Sequence, residues 1–418
     1  MLSAADNDER RVNGMLSKTS DPAKVLDVVE IETHLMSPIN VMTALHRLAR
    51  VVSSTAVSHK KDVFERFYSN PDKSIRHGFP WLLDRLIEHL MIDDDVYGTR
   101  TGLTLQSITN AWWCVTQFHL AGLDVTSDMA RALEHALTTR MNAAVDAVAA
   151  GKDVSAIVKD LRKIPALSIW HSWGLLVTTR LSSTFSPSLD AQKAVWAQTR
   201  QMVGVMDTHS IATLLRSVGR IIGRLGEDGL LLDVETLDAV IEYVSLNDVS
   251  KCAAHDLVWC VQGASALVVH ASTTTSPEFQ RRTRQFVKGA MQLLEHNVGS
   301  LNTRSMLVLA PIVAEPWISD EPVARSMLEA MTRRDLGTGH DAIRLRAMLE
   351  DSSHVRKLVE TSSHTNAVAI LEILQIMLQQ QRQQRDVWQQ RDLWQQQDVW
   401  QQQLPCDYDV ANLVCNKA

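Results

Sequence analysis

The sequence predicts an all-α fold, an α-solenoid of stacked antiparallel helix pairs. Apolar residues recur with helical spacing along most of the 418 residues. No run of four or more residues alternates apolar and polar convincingly, as a half-buried strand would. The same helical register then returns at several places along the chain, the mark of a repeat array. Composition agrees: 45% of residues are hydrophobic and 22% charged, enough to build a core, while Gly (17), Pro (11) and aromatics (5%) are too few for sandwiches or barrels built on tight turns.

Element by element, the first 20 residues read as a disordered N-terminal segment. Asp6, Asp8 and Glu9 precede Arg10 and Arg11 there, and an acidic start of this kind is not that of a transit peptide. Residues 21–378 are expected to form the solenoid. Ala23–Met36 is amphipathic and precedes the helix Ser37–Val51. His59–Gly78, with Asn70-Pro71, reads as a polar insertion. Pro80–Met91, Leu189–Val205, Val234–Ser245 and Pro277–Glu295 are further first helices of pairs.

The second helices share a pattern. A small or polar residue precedes an apolar one at Asn40-Val41, Ser107-Ile108, Ser168-Ile169, Ser210-Ile211, Asp256-Leu257 and Ser305-Met306. Apolar or small residues follow three, four and seven positions later, as in Leu214, Leu215 and Val218. The starts equivalent to Ser37 are Thr104, Pro165, Asp207, Ala253 and Asn302. The later intervals, about 40–50 residues, suit a two-helix repeat. The fullest stripe is Ile211, Leu214, Leu215, Val218, Ile222 and Leu225, with Asp207 or Thr208 to cap its start and Gly226 to end it.

Gln379 to Gln403 is mostly glutamine with a hexapeptide echo around Trp388, Trp394 and Trp400. Six residues turn a helix through about 600°, so these tryptophans share no face. Residues 379–418 are expected to be a low-complexity tail.

Val25–Glu30 followed by Pro38-Ile39-Asn40-Val41-Met42-Thr43-Ala44-Leu45-His46-Arg47-Leu48-Ala49-Arg50 resembles the helical repeats of octotricopeptide-type and FAST-kinase-like organellar proteins. Gln106-Ser107-Ile108-Thr109-Asn110-Ala111-Trp112-Trp113 is similar to their "Q-x-L-A-N-x-x-W-A" variant. The pattern covers about residues 20–315, and the specific match is confined to the first two repeats. The resemblance implies single-stranded organellar RNA as ligand, a role in RNA maturation, stability, translation or ribosome assembly, and the mitochondrion, with the plastid as alternative. Members often end in a RAP domain. This chain shows none, so nuclease chemistry is not carried over.

An RNA-binding surface needs cationic side chains for phosphates with stacking groups among them. Arg216, Arg220 and Arg224 lie at about 140°, 180° and 220° from Ile211, opposite the apolar stripe, and are expected to form one exposed ridge. Lys159, Arg162 and Lys163 extend the basic stretch. At positions equivalent to Arg216 and Arg220 stand His46 and Arg50, with Arg47 beside them, and Trp113, a candidate to stack a base. The whole chain carries -6, so any RNA surface must be a local patch. The alternative reading is a structural solenoid binding protein subunits of an organellar ribosome or other large assembly.

Catalytic signals are thin. Gly219–Gly226 lacks the lysine of a phosphate-binding loop and lies in a strongly periodic helix. Cys252, His255 and Cys260 have ligand chemistry but no CxxC pair, and the odd, unpatterned cysteines fit a reducing compartment. No apolar run reaches the roughly 18 residues of a membrane helix. Neither enzyme activity, cofactor, metal, small-molecule substrate nor membrane is expected.

Overall fold

The computed structural model describes residues 4–55, 62, 78–92, 103–122, 127–150, 165–178, 185–226, 228–246, 252–271, 274–297, 300–313, 315, 317–318, 321–324 and 326–327. Among these are thirteen α-helices and no strand: α1 Ala4–Lys18, α2 Pro22–Ile31, α3 Pro38–Ser54, α4 Phe79–Leu90, α5 Leu105–Leu120, α6 Ser127–Ala149, α7 Pro165–Leu176, α8 Leu189–Met202, α9 Thr208–Leu225, α10 Val234–Leu246, α11 Ala254–His270, α12 Pro277–His296 and α13 Thr303–Val313. The chain divides into two units, Met1–Ala290 and Met291–Ala418. The boundary falls inside the single solenoid expected over 21–378. The Gln/Trp tail lies outside the described residues.

The recurring small polar residue has a local cause. Ser37 accepts from the Asn40 amide, Thr104 from Ser107, Asp207 from Ser210 and Asn302 from Ser305. The signature residue is therefore the third helical position, whose N–H is taken by the cap three residues earlier. Gly226, at φ 73, ends α9 in a conformation that favours glycine. The α2–α3 and α8–α9 connections repeat one design, a 3-10 turn (Thr33–Leu35, Val203–Val205) followed by a buried methionine, Met36 or Met206, and the cap.

In the first unit the helices stack in two rows. One runs α3, α5, α7, α9, α11, each packing on the next; the other runs α4, α6, α8, α10. The pairs α3–α4, α5–α6, α7–α8 and α9–α10 join the rows, which is the stacked-pair solenoid. Indole rings fill the space between them. Trp112, Trp170 and Trp173 are fully buried. Trp112 and Trp170 each meet Trp173 edge to face, at 6.1 and 5.4 Å between ring centres. The Trp170 Nε1–H donates to Thr199 Oγ1 across the pair at 3.0 Å. In the second unit, α13 carries Pro311 in its last turn.

Two expectations are corrected. Residues 4–18, expected to be disordered, form α1, which packs on α3 with Val12 and Leu16 fully buried. Arg11 clamps Glu32 through two bonds of 2.7 and 2.8 Å. The second correction concerns α9, which has neighbours on two sides, α7 and α11, and buries Ala212, Gly219 and Ile221 beside its expected stripe.

Candidate functional site

Charge is sorted between the two rows. The five helices α3, α5, α7, α9 and α11 hold Arg47, Arg50, Arg216, Arg220 and Arg224, no lysine, and one carboxylate, Asp256. The four helices of the other row hold Asp84, Glu88, Asp128, Glu134, Asp146, Asp190, Glu235, Asp238 and Glu242 against Arg85, Arg131, Arg140, Lys193 and Arg200. Several of those cations are taken up within their own helices, as in Arg131–Asp128 and Lys193–Asp190. The first row is thus positive and the second negative.

On the first row, polar, basic and aromatic residues at helical spacing share the incompletely buried positions: Thr43, His46 and Arg50 on α3; Gln106, Asn110 and Trp113 on α5; Ser168 and His171 on α7; His209, Thr213, Arg220 and Arg224 on α9; His255, Trp259 and Gln262 on α11. His46 and Trp113, expected at equivalent positions, do meet, with ring centres 5.3 Å apart. Burial, then Arg50 and Arg47, lowers the His46 pKa, so this ring is a neutral stacking partner at pH 7.

The arginine ridge is only partly as expected. Arg216 is not exposed. It is 8% accessible, and its guanidinium lies over the Trp259 ring, 4.2 Å from the centre. The glycines explain this. A Cβ on Gly219 would come within 2.7 Å of the Gly263 Cα, and one on Gly174 within 3.2 Å of the Ser217 Cα. Helices α7, α9 and α11 therefore approach almost backbone to backbone, and Arg216 is enclosed between them. Arg220 is half-buried and Arg224 exposed. Both line a cavity of about 430 Å³ with Gly223, Gln262, Ala266 and His270.

Arg47 donates to the Ser17 carbonyl and so holds α1 in place, a different role from the one expected. Arg50 is exposed. Lys159, Arg162 and Lys163 lie outside the described residues.

Sequence reasoning missed a cluster centred on Trp259. His209 Nδ1 is 2.8 Å and His255 Nε2 3.2 Å from Asp256 Oδ1, and both imidazoles pack against Trp259 at 5.8 and 5.7 Å. Nearby His171 is pushed down to about 4, by burial first and then by Arg220, Arg216 and His209. The available signal was register: Trp259 precedes Gln262, the equivalent of Arg216, by one turn. Cys260, grouped with His255 in the sequence, is buried and its thiol is pushed up by desolvation, so it is an inert core residue.

No family of known proteins matches the chain, and no curated protein does. Among solved structures, a circular tandem repeat protein with novel repeat topology and enhanced subunit contact surfaces aligns over 91% of this chain and 97% of its own, at 13% identity and TM-score 0.32. A likeness that low bears on neither fold nor function.

Proposed function

We propose that this chain is a non-catalytic helical-repeat protein that binds single-stranded RNA along the α3–α11 row, in an organelle, the mitochondrion first. The observation that carries the reading is the charge sorting. A row whose helices hold five arginines and one carboxylate, with Arg50 exposed on α3 and Arg220 and Arg224 half-buried and exposed on α9, offers phosphates positive points at two places along it. That carboxylate already faces two histidines. Trp113, Trp259 and His46 lie on the same track and supply planar groups against which bases stack. The resemblance of the first repeats to organellar RNA-binding repeats points the same way and is the sole basis for the organelle, which fractionation of cells expressing the full chain tests.

The test is titration with single-stranded RNA at several salt concentrations. Changing Arg50, Arg220 and Arg224 to Gln should flatten the slope of log affinity against log salt by about 0.7 for each phosphate no longer neutralised, or about 2 in all. Absence of wild-type binding at low salt would refute the RNA reading, and an unchanged slope would place the track elsewhere.

One observation favours a protein-binding scaffold instead. The other row carries a cavity of about 560 Å³ that mixes Trp196, Leu231, Leu232 and Val234 with Lys193, Arg200, Gln201, Asp233 and Glu235, and Leu231 is 39% exposed there. Loss of RNA binding together with capture of a defined subunit would favour that reading.

A further inference from the structure

We propose that His209, His255 and Asp256 form a binding site for one zinc-class divalent ion, bridging the first turns of α9 and α11. The three donor atoms lie within 4.8 Å of one another. Both imidazoles converge on a single carboxylate oxygen, at 2.8 and 3.2 Å. Two imidazole nitrogens and one carboxylate oxygen are a ligand set that suits zinc and its first-row neighbours; magnesium and calcium take oxygen sets.

The site is rigidly held, which a metal centre requires. His255 and Asp256 are adjacent on α11, and His209 is on α9. The Gly219–Gly263 approach fixes how those two helices meet. Asp256 is anchored, its side chain 8% exposed, whereas those of His209 and His255 are 60% and 54% exposed. Three protein donors leave one tetrahedral position, and the exposed imidazoles open it to solvent or an exogenous ligand.

Asp256 also breaks the row's pattern. It occupies the third helical position held by Asn40, Ser107 and Ser210, and the residue that should cap its helix is Ala253, which makes no side-chain cap. A carboxylate stands here where α3, α5 and α9 have a neutral residue, and two histidines reach it. The Arg216 charge across the Trp259 ring lowers the affinity below that of an isolated triad. The site does not depend on the RNA reading, since its donors are imidazole and carboxylate.

The test uses the full chain and zinc chloride alone, in competition with a chromophoric chelator. One ion should bind with an affinity that His209→Gln and His255→Gln each weaken at least tenfold, with the helical circular dichroism unchanged. Cobalt(II) should give the visible bands of a tetrahedral ion, lost in both variants. Zinc should raise the melting temperature of the wild type and not of the variants, because binding to the native state stabilises it. Asp256→Asn should behave alike where it folds. Zinc affinity equal in wild type and both histidine variants, or no binding by the wild type, would overturn the proposal and leave a histidine–aspartate hydrogen-bond cluster.

Discussion

His171 shows what a single residue feels in the α7–α9–α11 row. Its pKa falls to about 4 because the ring is buried and faces Arg220, Arg216 and His209. A histidine whose native pKa lies below its unfolded value, near 6.5, must lose its proton to fold in that interval. The stability it permits is fully present above about pH 6.5 and is lost as pH falls toward 4. Denaturant titrations of the wild type and His171→Asn from pH 7 to 4 should show the difference, at most about 3 kcal/mol; parallel curves would refute the shift. Arg216 is the residue the sequence misplaced. A helical wheel assigns one buried face, whereas α9 is flanked by α7 and α11. The enclosed guanidinium lies on the Trp259 indole, a contact that favours a cation.

At the scale of elements, caps and stripes were legible because both are local. Asp207 caps α9 and Gly226 ends it, as the spacing requires. Two helices were not. The α1 sequence is mostly charged and polar, with Val12 and Leu16 its fully buried anchors, and α6 buries an alanine-rich face through Ala132, Ala136 and Ala144. Weak apolar contrast hides such faces from any periodicity count. The glycine crossing was also invisible, since it depends on which helices meet. A Cβ on Gly263 would overlap the Leu215 carbonyl, whereas one on Gly223 would meet only the His270 ring, at 3.7 Å. Gly263→Ala should therefore lose about 3 kcal/mol or more in denaturant unfolding, by forcing α9 and α11 apart. Gly223→Ala should gain about 0.5–1 kcal/mol from helix propensity. Similar effects at both positions would show that the close approach is not a constraint.

For the first unit as a whole, the sequence offered a basic stretch that includes Lys159, Arg162, Lys163, Arg216, Arg220 and Arg224, a property of one segment. The structure distributes charge differently. Consecutive helices alternate between rows, so α7 and α9 lie in the positive row while α8, between them in sequence, lies in the negative one. Sorting by alternate helix cannot be seen in a running sum along the chain, although it is plain once pairs are assigned. The His209–His255–Asp256 grouping was hidden for the same reason: its donors lie 47 residues apart in sequence and one helix apart in the row.

The opposite signs of the α3–α11 and α4–α10 helices define an electric dipole across that stack. Near the isoelectric point, at about pH 6.2, the net charge vanishes and the dipole governs how copies meet in solution. Positive rows then attract negative rows of neighbouring molecules, with no apolar surface required. The Debye length falls from about 30 Å at 0.01 M salt to about 8 Å at 0.15 M, which screens that attraction. The protein should therefore salt in: at pH 6.2 its solubility should rise, and its light-scattering virial coefficient turn from negative toward zero, over the first ~0.1 M of added sodium chloride. A solubility that falls or stays level over that range would mean the two rows do not act as opposite poles.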